Sequence, residues 1–216
     1  MKPFSFIVIL LLLFSNSIYS QTWESVLKLT SQNGMANVVE MKTDAAGNIY
    51  MCGTFSGTLT FGTQSVVSVG DTDFFILKLS PLYECIWFKS GGGIAPDGAT
   101  SIDIESSGYI NITGYYTNAA SYQNFPLTTN SGRGGMLLRI NPAGGAVWCR
   151  NFDYQYTSED KLNAFEKCYG AYSNNSGQIF FTYTDAYPHF TNVTLLKKYN
   201  IQGTSQSEGS LPKGVY

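Results

Sequence analysis

The sequence predicts an all-β protein built from repeated units, and three observations carry that expectation. The strongest is a single gap-free offset. Gly47 and Gly108 stand 61 positions apart (108 − 47), and so do Gly53 and Gly114, Pro81 and Pro142, and Trp87 and Trp148. Ile49 and Ile110, Phe61 and Tyr122, Lys78 and Arg139, and Leu79 and Ile140 follow the same offset. Repetition at a fixed period is the signature of a repeat architecture. The second observation is the character of the segments between these landmarks. They are short, rich in β-branched and aromatic residues, and bounded by Gly, Asn, Ser or Pro, as strands are. The third is composition. Only 13% of the 216 residues are charged, 15% are aromatic and 22 are Gly. So little charge suits a turn-rich β protein better than a helical one. The aromatic content supplies apolar area to offset ordering entropy, which argues against disorder.

The chain opens with Lys2, an unbroken apolar run from Phe6 to Phe14, and a short polar stretch ending at Ser20. This is the layout of a secretory signal peptide, with cleavage expected after Ser20. The run is far shorter than the ~20 residues a membrane span needs. Residues 1–20 are therefore expected to be a signal peptide and 21–216 the repeat domain, secreted or at the cell surface. The formal net charge of −2 becomes one unit more negative without Lys2. That balance is too mild to argue for nucleic acid or an acidic membrane surface as partner.

Four strands are expected in each unit. In the first they fall at 38–43, 48–55, 74–79 and 84–88; in the second at 99–104, 109–116, 135–140 and 145–149. The units span about 38–90, 99–151 and 168–207. In the third copy, Asn174-Asn175-Ser176-Gly177 takes the place of Glu105-Ser106-Ser107-Gly108, and Lys198-Tyr199 resembles Arg139-Ile140 at a shorter spacing. Extra length precedes it, between Trp148 and Cys168, with room for a loop or one short helix at 160–167. Residues 23–27 read as a fourth strand lacking the rest of its unit, a closing strand for a ring.

The turns share one design. Asp44, Glu105 or Asn174 opens the turn and Gly47, Gly108 or Gly177 closes it. Asp or Asn can cap backbone N–H groups two residues on, and Gly takes φ > 0 without Cβ strain. Trp87 and Trp148 recur once per unit at fixed spacing, which marks them as packing contacts between neighbouring units. Asp44, Gly47, Gly53, Trp87, Gly108, Gly114, Trp148 and Gly177 are thus the expected turn and packing residues.

The pattern D-A-A-G-N-I-Y-M-C-G from Asp44, D-F-F-I-L-K from Asp73 and I-W at Trp87 resembles the bacterial seven-bladed β-propeller repeat family. Asp44, Gly47, Asn48, Tyr50, Gly53, Asp73, Phe75, Lys78 and Trp87 match its unit. The second unit keeps Gly108, Gly114, Arg139 and Trp148, and the third keeps Asn174, Gly177 and Lys198. The resemblance implies four-stranded antiparallel blades of a β-propeller, in a secreted or surface protein of bacterial origin. Closed propellers need at least about four blades, and only about three units are present. Either the sequence is a piece of a longer chain, the preferred reading, or it is an open arc whose edges need a partner.

Of the four cysteines, Cys149 and Cys168 bracket the insertion and are the expected disulfide if the compartment is oxidising. The alternative is that all four are small buried hydrophobes. No metal or cofactor site is expected, since no C-x-x-C occurs and His189 is the single histidine. Asp71 and Asp73 are the best calcium candidates, but Ser131-Gly132-Arg133-Gly134 holds no carboxylate at the aligned positions. A turn with Asp73 capping the strand is the preferred reading. Pro96-Asp97-Gly98 reads as a turn, and Gly91-Gly92-Gly93 as a flexible loop between units. The sequons at Asn111, Asn174 and Asn192 are taken as incidental. No catalytic residue is assigned. The expected function is a non-catalytic extracellular binding or scaffold module for a protein or glycan, with loops 90–98, 151–159 and 185–192 as candidate surfaces. The alternatives are a polysaccharide hydrolase or lyase using an acid such as Asp103 or Asp185, and a fragment of a larger surface protein.

Overall fold

A computed structural model describes residues 27–152, 167–173, 178–184, 194–200 and 205–209, with side chains from 27 to 151 apart from 130 and 131. The described residues form fifteen strands and no helix. The expected signal peptide, the 23–26 part of the closing strand, the helix at 160–166, His189, Asp185 and Gly177 lie outside them.

The first unit is an antiparallel meander. Ala36–Thr43 (β2), Ile49–Phe55 (β3), Asp73–Leu79 (β6) and Cys85–Gly93 (β7) pair in that order. Gly98–Ile104 (β8), Ile110–Tyr122 (β9), Phe125–Ile140 (β10) and Ala146–Phe152 (β11) repeat it. Lys167–Ser173 (β12), Gln178–Thr184 (β13), Thr194–Asn200 (β14) and Ser205–Gly209 (β15) form a separate four-stranded antiparallel sheet. All four strands expected in each of the first two units are present, but three run longer than expected: β7 continues to Gly93 instead of 88, β9 to Tyr122 instead of 116, and β10 begins at Phe125 instead of 135.

The first two meanders are not separate sheets. Gly92 and Gly93 of β7 pair with Ser121 and Ala120 of β9, which joins them into one strongly curled eight-stranded sheet. The cause is the connection between second and third strands. In the second unit it continues β9 and β10 into a long hairpin tip, with Leu127 opposite Ala120. In the first it folds as a separate hairpin of Thr58–Phe61 (β4) and Gln64–Val67 (β5). Thr30–Gln32 (β1) pairs with β4, much as the end of β7 pairs with the tip of β9. One repeat on from β1 lie Gly91, Gly92 and Gly93, so β1 occupies the place of the last part of a preceding fourth strand.

A β-bulge recurs in each first strand, at Val38/Glu40, at Ala99/Ser101 and at Tyr169/Ala171. The first two lie one repeat apart. They bring the first strand's backbone onto the second strand at Gly53 and Gly114. A Cβ at Gly53 would stand 1.9 Å from the Asn37 oxygen, and one at Gly114 would stand 2.3 Å from the Gly98 oxygen. Only glycine permits that approach.

Strand alternation divides the apolar residues into two cores. In β3, Tyr50 and Cys52 enter one cluster, while Met51 and Phe55 enter the other. The second cluster holds Met51, Phe55, Leu59, Phe61, Phe75, Leu77, Leu79 and Phe88. Adding 61 gives Ile112, Tyr116, Ala120, Tyr122, Met136, Leu138 and Ile140, which belong to the first cluster, and Cys149, which is partly buried and packs against it. The first cluster is thus the leading face of the second unit packed on the trailing face of the first, the latter supplied by Tyr50, Cys52, Phe74, Ile76 and Trp87. The second cluster is the same leading face one unit earlier.

Candidate functional site

The motif residues converge on a polar network at the turn between first and second strands. Asp44 Oδ1 accepts the N–H groups of Ala46 (3.0 Å) and Asn48 (2.9 Å), while Oδ2 accepts Asn48 Nδ2 (2.8 Å) and the Tyr50 hydroxyl (3.0 Å). Burial works against its charge, but the donors from Asn48, Tyr50 and Ala46 outweigh it and hold the carboxyl below its usual range. Lys78 Nζ lies 5.0 Å from the Tyr50 ring centroid, and Trp87 meets the same ring edge-on at 6.3 Å. Trp87 is buried. Its indole N–H donates to the Pro142 carbonyl of the second unit (3.1 Å), as does Lys78 Nζ (3.4 Å).

The second unit fills the same positions with other chemistry. Arg139 pairs with Glu105 through both guanidinium nitrogens, the Nη2–Oε2 contact being 2.8 Å. Asn111 Nδ2 donates to Glu105 Oε1 (3.0 Å). Burial raises the Glu105 carboxyl, but Arg139, Asn111 and Ser107 hold it below its usual range. Asn111 is fully buried, so its sequon is sealed inside this network.

The turn geometry recurs four times. Gly47, Gly108 and Gly144 donate to the carbonyls of Asp44 (3.0 Å), Glu105 (2.8 Å) and Asn141 (2.9 Å), with φ of +80°, +80° and +83°. Tyr83, one repeat before Gly144, does the same to Ser80 (2.9 Å) at φ +64°. Asp44 caps its turn as expected of an acidic opener, and Asn141 and Ser80 do likewise. The Glu105 side chain instead reaches across to Arg139.

Where the first strands meet, bonds join residues one repeat apart. Glu40 Oε2 accepts the Ser101 hydroxyl (2.7 Å) and the Ile102 N–H (2.7 Å), and Lys42 Nζ donates to Asp103 Oδ1 (3.4 Å). Residue 40 aligns with 101 and residue 42 with 103. Asp103, named above as a possible catalytic acid, is buried and tied to Lys42. β12 in turn lies against β8 and β9.

A second junction between the units is acidic. Asp97 is fully buried, with Oδ2 accepting the Gly93 N–H (2.5 Å) and Oδ1 the Thr117 N–H (2.8 Å). The turn expected at Pro96-Asp97-Gly98 is corrected: Gly98 opens β8, and the Asp97 carboxyl ties β7 to β9. Burial pushes the Asp97 carboxyl up to about 7, and the charge of Asp73 adds to the shift. Asp73 is also buried, and burial raises its carboxyl. Its Oδ2 accepts the Val69 N–H (2.6 Å), so it caps the chain entering β6. Its Oδ1 has no hydrogen-bond partner among the described residues and faces Gly92, where a Cβ would come within 2.3 Å. Asp71 is exposed, and no group of three or more His, Cys, Asp or Glu suited to a metal occurs among the described residues.

The expected flexible loop at 90–98 is corrected by this junction. Gly91, Gly92 and Gly93 are strand residues, and the loop shrinks to 94–97. A Cβ at Gly91 would stand 2.5 Å from the Phe74 ring and one at Gly93 would stand 1.9 Å from the Ala119 oxygen. These glycines serve close approach between strands.

Trp148 is buried, with the Arg150 guanidinium 5.6 Å from its ring centroid. Cys52, Cys85 and Cys149 are free thiols. Burial pushes Cys52 and Cys149 up to about 12 and raises Cys85, which disfavours thiolate chemistry. The Cys168 side chain of the expected disulfide lies outside the described residues, as do loops 153–159 and 185–192. No helix among the described residues is long and apolar enough to cross a membrane. Compared with known proteins, the chain matches no family model and no curated protein sequence.

Proposed function

We propose that this chain is a secreted, non-catalytic repeat module of β-propeller type that binds or scaffolds an extracellular protein or glycan. The observation that carries this reading is the one-repeat shift between the two cores. A leading face that returns 61 residues later, packed on the preceding trailing face, is how successive blades stack around an axis. The bonds from Glu40 to Ser101 and from Lys42 to Asp103 support it, because they bring equivalent first strands together as the inner strands of neighbouring blades. The motif residues of the resemblance are occupied in turns, a polar network and inter-unit packing. That leaves them to the fold and directs binding to the loops.

Among the described loops, the candidate surface is the end where Asp71 N–H meets the Ile94 carbonyl (3.2 Å). Val69 is 70% and Ile94 84% exposed there, an apolar pair suited to ligand contact. Asp103 is buried and held by Lys42, which counts against it as a glycosidic acid; Asp185, the other acid named, lies outside the described residues. The test is a glycan and extracellular-protein array with the purified protein, beside a reducing-end assay on the same polysaccharides. Binding without turnover, weakened by Ile94→Asp, is expected. Release of reducing ends that is lost on Asp103→Asn would overturn the non-catalytic reading.

A further inference from the structure

The two buried acids at the unit boundary act on each other. Asp73 heads β6 and Asp97 directly precedes β8, and both are shut off from solvent. The Gly93 N–H donates to Asp97 Oδ2 (2.5 Å) and also favours the ionised form of Asp73, so the two carboxyls converge on one donor. Asp73 Oδ1 is left without a hydrogen-bond partner among the described residues, against the backbone of Gly92. Two buried carboxylates side by side repel, and an unpaired one is costly to bury. One proton held between them removes a charge and turns one acid into a donor. The other groups that face the pair do not replace that proton. The charge of Arg133 in β10 favours ionised Asp97 but is outweighed by burial. Burial raises Tyr115 in β9, so it stays neutral, and Asp71 is exposed.

The same pair pins the loop end. Asp73 Oδ2 accepts the Val69 N–H (2.6 Å), the Asp97 N–H donates to the Thr72 carbonyl (2.7 Å), and the Thr117 hydroxyl donates to the Pro96 carbonyl (2.5 Å). Segments 69–72 and 94–97, which carry the exposed Val69 and Ile94, are thus held at their base by the two acids. We infer that Asp73 and Asp97 share one proton and act as a latch on this loop end. With the proton, the pair holds the two segments closed on each other; without it, the segments part and the Val69–Ile94 surface is dispersed. This regulation rests on the reading of Val69 and Ile94 as the contact surface, but the latch itself works without a ligand.

The test is hydrogen exchange read by mass spectrometry on the purified product of the full chain, with rates corrected for the intrinsic pH dependence of exchange. Opening ionises an acid that the closed state keeps protonated. Protection of 69–72 and 94–97 should therefore fall about tenfold per pH unit between pH ~5 and ~7 and level off above. The 44–48 turn, where the Asp44 carboxyl is held below its usual range, should show no such fall. Asp97→Asn should abolish the fall, and Asp73→Asn should end it at a lower pH because the neighbouring charge is gone. Far-UV circular dichroism identifies a variant that fails to fold, and the wild-type profile with the other variant then decides. Wild-type protection that does not fall, or a fall that either folded variant leaves unchanged, overturns the latch. So does protection restored in alkaline solution by calcium chloride, which would give the pair to a cation. A failed latch leaves the binding reading in place, and a working latch beside an array without hits refutes that reading alone.

Discussion

Replacing Trp87 by Ala removes the contact that most directly ties the first unit to the second. The indole is 9% exposed, so its burial contributes about 2–3 kcal/mol. The edge-on contact with Tyr50 at 6.3 Å and 69° adds about 0.5–1.5 kcal/mol. The N–H bond to the Pro142 carbonyl, 3.1 Å long, adds about 1 kcal/mol. The total of roughly 4 kcal/mol agrees with the ~3–5 kcal/mol typical of Trp→Ala in a packed core. Trp87→Phe keeps most of the apolar area and loses the donor, so a cost of roughly 2 kcal/mol is expected. Urea denaturation followed by far-UV circular dichroism measures both. Ile86→Ala, one residue away and 49% exposed, serves as the control and should cost at most about 0.5–1 kcal/mol. A cost below about 1 kcal/mol for Trp87→Ala, or one no larger than the control's, would refute the assignment of Trp87 to inter-unit packing.

Three further outcomes follow from the turns and the buried acids. Gly108→Val forces a β-branched residue to φ +80° and should cost about 1–3 kcal/mol; an unchanged melting temperature counts against the turn assignment. Tyr83 already bears such strain at φ +64°. Tyr83→Gly should relieve about 1–2 kcal/mol against about 0.5–1 kcal/mol of added chain entropy. A small rise in melting temperature is therefore expected, and a fall would contradict the strain argument. The Asp97 carboxyl is raised to about 7 from 3.8, so the folded state retains a proton that the unfolded chain has lost. Its contribution is complete below pH ~4 and disappears as pH rises through ~7, with a ceiling of roughly 4 kcal/mol. The lowered carboxyls of Asp44 and Glu105 act oppositely and lose their contribution only in more acidic solution. Urea midpoints should thus be higher at pH 5 than at pH 8, and Asp97→Asn should flatten that difference. An Asp97→Asn protein with an undiminished slope would assign the titration elsewhere.

The strands of the first two units were legible because Gly, Pro and Trp recur at one spacing, and those residues answer to backbone geometry and packing. The pieces that escaped are those whose reason is non-local. Gly91-Gly92-Gly93 looks like a loop because Gly is depleted in strands. It is strand here because Phe74, Asp73 and the Ala119 carbonyl leave no room for a Cβ. Asp97 between Pro and Gly looks like a surface turn, and nothing local shows that Thr117 closes over it. The β4–β5 hairpin and β1 are short and exist through pairing across the unit boundary. Two signals could have been read further. Residue 83 falls where the repeat has Gly144, which marks a strained position in advance. Shifting the apolar residues of the first unit's second cluster by 61 lands on the core of the second unit, which is the sequence signal of two equivalent faces.

The claim that successive units pack through equivalent surfaces is tested most directly by a double-mutant cycle on Glu40 and Ser101, residues one repeat apart joined at 2.7 Å. A hydrogen bond to a charged group contributes about 1.5–3 kcal/mol. Glu40 is about one-third exposed and keeps the Ile102 N–H in the single Ser101 variant, so a coupling of about 1 kcal/mol is expected between Glu40→Ala and Ser101→Ala. A coupling within about 0.3 kcal/mol of zero would mean that these strands do not meet in solution, and would contradict the account.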